Sequence, residues 1–81
     1  MSARRTVHRG EAMLAYAAVA AALGMTFDVE HVGILADLSH DMEDVMLATR
    51  AMRRLAATVT DPARIVGEGS RLLRLRRAAV A

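Results

Sequence analysis

Ile34–Val59 lies in the longest stretch of this chain that is free of glycine and proline, and it constrains the fold more than any other segment. Within it Leu35, Leu38, Met42, Val45, Thr49, Met52, Ala56 and Val59 recur at alternating steps of three and four. That spacing is the apolar seam of a long amphipathic helix with a near-heptad period. A second, weaker stripe of Leu47, Ala48, Ala51 and Leu55 runs along another side. A helix with two apolar faces needs two neighbours. The pattern therefore predicts an all-α fold, a three- or four-helix bundle around one long central helix over about 34–59, with self-association.

The flanking segments supply the neighbours. Residues 1–9 read as a flexible basic arm and 10–81 as one helical domain. Gly10 or Glu11 opens a first helix, Ala12–Leu23, whose alanines favour helix and whose apolar character nearly all round predicts burial on most sides. This helix is expected to pack antiparallel to the central one. Gly24 reads as its stop and Asp28 as the N-cap of the next helical segment. Around Ser39–Asp41 two readings stay open. Leu35 and Leu38 lead to Met42 without a skip, favouring continuity, yet Ser39 or Asp41 could cap a new helix. Thr60-Asp61-Pro62 marks a helix start, with a capping residue ahead of a first-turn proline. Gly67 and Gly69 weaken the middle of that last helix, and Ser70 could cap a renewed one through Arg71–Val80.

Eighty-one residues with one Phe, one Tyr and no Trp make a small core that buries little area per side chain. Self-association or a larger protein partner is the simplest source of further stability. There is no cysteine, which excludes disulfides, thiolate metal sites and thiol nucleophiles. Lysine is absent too, which removes Schiff-base chemistry. Arg4 and Arg5 ahead of Ala12–Leu23 have the order of a secretory leader, but Glu11 interrupts it. Ala12–Leu23 is also shorter than the roughly 20 residues of a membrane span. The expectation is a cytoplasmic protein without a membrane partner.

Charge is distributed unevenly. Residues 1–10 carry three Arg and no acid, 11–44 seven acids and no Arg, and 45–81 eight Arg against Asp61 and Glu68. Basic ends around an acidic middle suit head-to-tail pairing of protomers or phosphate contacts at the termini. In the second case Arg4, Arg5, Arg9, Arg71, Arg74, Arg76 and Arg77 are the nucleic-acid contacts. Within the central segment, Asp37, Asp41, Glu43 and Asp44 precede Arg50, Arg53 and Arg54, the polarity that complements a helix dipole and needs no ligand.

Chemistry-bearing motifs are sparse. Ser39-His40-Asp41 has the residue types of a hydrolytic triad, but neighbours on a helix point about 100° apart and do not converge. Asp37, His40, Asp41 and Asp44 fall at i, i+3, i+4 and i+7, a spacing that binds a divalent ion only if a partner helix completes the shell. That face lies opposite the Leu35/Leu38/Met42/Val45 seam, so a solvated acidic face is the stronger reading. Val19-Ala20 with Leu23-Gly24-Met25 matches the first half of a helix-turn-helix, but Glu30 occupies a position that should be apolar. The helix after it has acids where a DNA reader carries cations. Gly67-Glu68-Gly69 is too short for a phosphate loop.

The sequence thus leads to a small non-enzymatic helical interaction module without metal or cofactor, assembling as a homo-oligomer or on a larger protein. Its packing seam is Leu35, Leu38, Met42, Val45 and Met52. The alternative is a small DNA-binding regulator contacting phosphates through its arginine-rich ends.

Overall fold

A computed structural model describes residues 6–80 as four helices: α1 Arg9–Leu23, α2 Val29–Leu38, α3 Met42–Ala56 and α4 Pro62–Val80. No strand forms among the described residues; Thr6 makes an isolated bridge to Asp41.

The long central helix over 34–59 is not one helix. It is divided between α2 and α3 at Ser39–Asp41, and α2 begins at Val29, directly after the Asp28 cap read from the sequence. Two extended residues make the corner, Ser39 (φ −95°, ψ 101°) and Asp41 (φ −140°, ψ 174°). Side chains hold it there. Asp41 Oδ1 accepts from Asp44 N (2.8 Å), and Asp44 Oδ2 accepts from His40 N (2.9 Å). This reciprocal cap satisfies backbone donors that a continuous helix would have used internally. Ser39 Oγ donates to the Leu35 carbonyl (2.8 Å), closing the end of α2.

The other boundaries reflect local chemistry. Gly24, at φ 66°, is the only described residue in the left-handed region and ends α1, with Met25 N donating back to Ala20 O at 2.9 Å. Asp28 caps α2 through Glu30 N and His31 N. Asp61 receives Ala63 N at 3.1 Å, and α4 begins at Pro62 as the sequence predicts. It then continues unbroken through Gly67, Gly69 and Ser70. Gly69 has a packing role: a Cβ there would lie 3.0 Å from Met52 Sδ and 3.2 Å from Leu35 Cδ1. The missing side chain lets α4 lie close on α2 and α3.

α1 packs on α2 and α3, and α4 packs on the same two helices from elsewhere. α1 runs against α2, its start beside α2's end, where Arg9 meets Asp37. The largest fully buried side chains, Tyr16, Leu35, Met52, Ile65 and Leu73, come from all four helices. Ahead of α1, Val7 is buried and donates its N–H to His40 O (3.1 Å), so residues 6 and 7 lie on the α2–α3 corner. No helix among the described residues is long and apolar enough to cross a membrane.

Candidate interaction surfaces

The seam residues do not stay together at the surface. Leu35, Val45 and Met52 are buried within the chain, Leu38 is half-buried, and Met42 is exposed at the start of α3. The corner at Ser39–Asp41 turns the upper part of the seam onto a different helix from the lower part.

The basic ends are largely engaged by carboxylates of the acidic middle. Arg76 Nη2 lies 2.7 Å from Glu43 Oε1 and its Nε 3.2 Å from Asp44 Oδ1. Arg77 lies 3.5 Å from Asp44 Oδ2, and it also donates to His40 Nδ1 (2.6 Å) and to the Leu38 carbonyl. Arg9 pairs with Asp37 at 2.7 Å. Arg71 forms a bidentate pair with Glu68, which holds the Glu68 carboxyl below its ordinary range. Arg4 and Arg5 lie outside the described residues. Among the described terminal arginines, Arg74 alone makes no ion pair with a described residue. The carboxylates of the Asp37/His40/Asp41/Asp44 group are likewise turned to cations, Asp37 to Arg9 and Asp44 to Arg76 and Arg77.

One buried polar chain crosses the core. Tyr16 OH and Ser39 Oγ are 2.6 Å apart; since Ser39 donates to Leu35 O, Tyr16 donates to Ser39. Burial pushes the phenol up to about 12, and the Asp44 charge adds to this. The neutral phenol is thus the form the fold favours. Its contribution is full below the unfolded value near 10 and disappears as pH rises to about 12, roughly 2–3 kcal/mol in all. Tyr16 is the only tyrosine, and the chain has neither lysine nor cysteine to titrate in that window. Chemical denaturation from pH 9 to 12 should therefore show this loss directly. Tyr16→Phe should be about 1 kcal/mol less stable at neutral pH and show a flatter alkaline limb. An unchanged limb in the variant would contradict the assignment.

Two of the surfaces that the described residues leave uncovered stand out. The first is the outer face of α1. The helix is apolar nearly all round, yet it is covered on one side only: Leu14 is 74% exposed, and Ala17, Ala18, Ala21 and Ala22 also face solvent. After Glu11 no charged residue occurs before Asp28.

The second is a groove of about 480 Å³ between α3 and α4. Half-buried Leu47, Ala51, Leu55 and Leu72 line it, with Arg50 and Arg54 along the α3 side. Three of these are the weaker apolar stripe visible in the sequence. Neither Arg50 nor Arg54 forms an ion pair with another described residue. Periodicity could locate the stripe but not show that α4 covers it incompletely.

Comparison with protein families, with curated proteins and with solved structures finds no match to this chain.

Proposed function

We propose that this protein is a small helical interaction module that works as a homodimer through the outer face of α1. The observation that carries this reading is the composition of that face, Leu14 with four alanines and no polar side chain beyond Glu11. Fifteen residues extend about 22 Å, and alanine side chains let two such helices approach at the short end of the usual 8–10 Å spacing. A two-fold contact sets the same patch against itself. An uncharged face meets its own copy without like-charge repulsion, and removing Leu14 and the alanines from water supplies the driving force.

The alternative, phosphate contact through the termini, draws less support. Arg9, Arg71, Arg76 and Arg77 already face carboxylates, so engaging phosphates would require those pairs to open.

Sedimentation equilibrium tests the dimer. At tens of micromolar and about 300 mM salt, where exposed charge contacts are screened, the wild-type chain should approach twice its 8.7 kDa monomer mass. Leu14→Glu should run as monomer with its helical content intact, since Leu14 contributes little to the core. A wild-type mass that stays at 8.7 kDa across the concentration range would rule the reading out.

A further inference from the structure

The groove between α3 and α4 has a counterpart on the same molecule. Near the start of α2, Ile34 is 46% exposed one turn after the Glu30 carboxylate, with Asp28 just ahead of the helix. Neither acid forms an ion pair with another described residue; Asp28 only caps its own helix. This shoulder is apolar and acidic where the groove is apolar and basic. Beyond Ile34 the surface turns cationic at Arg74, so the acidic contact is confined to Asp28 and Glu30.

The two cannot meet within one molecule. Ile34 and His31 border α4 along Ala63, Gly67, Ser70 and Arg74, whereas the groove borders it along Glu68 and Leu72. At about 100° per residue those two rows lie roughly 150° apart around α4. The complementary surfaces therefore occupy opposite flanks of the same helix.

We propose that the α3–α4 groove of one molecule receives the acidic shoulder of α2, Glu30 and Ile34, from a second copy. Ile34 enters among Leu47, Ala51, Leu55 and Leu72, and Glu30 meets Arg50. The apolar floor favours this occupant over a phosphate backbone, which would use the arginines and leave the leucines exposed. Because two different patches meet, the contact is head-to-tail and closes into rings or extends into chains. It involves none of the α1 face and does not depend on the α1 contact.

Charge exchange in the full-length chain tests this, read by sedimentation velocity and light scattering at about 20 and 300 mM salt, conditions that move the Debye length several-fold. Wild-type protein should assemble beyond the dimer at low salt and lose that step at high salt. Glu30→Arg and Arg50→Glu should each weaken the step about tenfold or more. Both side chains are exposed and make no ion pair among the described residues, so both variants should stay folded, with only a small drop in melting temperature for Glu30→Arg, which puts a cation at the positive end of α2. An equimolar mixture of the two should restore assembly, since each introduced charge then finds its opposite on the other variant. Leu14→Glu should abolish the α1 contact and leave the salt-sensitive step in place, which separates failure of one contact from failure of the other. If either charge variant assembles as wild type, or the mixture does no better than its components, the head-to-tail contact is wrong.

Discussion

Replacing Asp44 with alanine is expected to cost about 3 kcal/mol or more, between about a quarter and three-quarters of a total stability of order 4–12 kcal/mol. The side chain is nearly fully buried at the start of α3 and has three partners. One oxygen faces Arg76, and the other accepts from His40 N and faces Arg77. The partners come from two parts of the fold: His40 N from the corner, Arg76 and Arg77 from the last turns of α4. Removing the carboxylate therefore leaves a corner N–H unsatisfied and two guanidinium groups without a counter-charge they share. Most of the cost falls on the buried corner, where His40 N loses a charged acceptor, because Arg76 and Arg77 are 23% and 40% exposed and keep access to water. Asp44→Asn keeps an acceptor for His40 N and should fall between wild type and alanine. Urea unfolding measures the series. A loss below about 1 kcal/mol for alanine would mean that water screens the cluster as it does a surface pair.

The same corner shows how much the sequence discloses. Helices, their caps at Asp28 and Asp61, and the αL stop at Gly24 are legible because each depends on residues within a turn of one another. The division at Ser39–Asp41 is not decided by periodicity, because three corner residues between Leu38 and Met42 preserve the same step of four that a continuous helix has. What decides it is non-local: Tyr16 from α1 meets Ser39, and Arg77 from α4 meets His40 and Leu38. The charge blocks are equally visible, but their pairing is not. Glu43 and Arg76 are far apart in sequence and meet only when α3 and α4 close as an antiparallel pair. For the same reason Arg76 and Arg77 read as free cations in the sequence and as structural ones in the fold. On α1 the sequence misleads the other way: an apolar helix is expected to be buried on most sides, but three neighbours cannot surround it when two of them already embrace α4. The exposed face that carries the functional reading is what this packing leaves over.

Leu35→Ala is expected to be the second most damaging substitution, costing about 2–5 kcal/mol as a buried leucine truncated without full collapse of the site. Leu35 is fully buried, and its Cδ1 is one of the atoms a side chain at position 69 would strike. That contact allows a sharper test than the single loss. In the wild type, Gly69→Ala gains about 1 kcal/mol of helix propensity but crowds Met52 and Leu35, at about 1–3 kcal/mol for an overpacked site. The net effect should be mildly destabilising, because the flexible Met52 thioether can yield part of the space. In the Leu35→Ala background the Cδ1 obstacle is gone, and the added methyl enters the cavity the truncation created. There Gly69→Ala should change sign and recover part of the loss. The double-mutant cycle should give a favourable coupling of about 0.5–2 kcal/mol. Strict additivity would mean that α4 relieves the crowding by sliding on α3. The close approach at Gly69 would then be a consequence of helix position, not the contact that sets it.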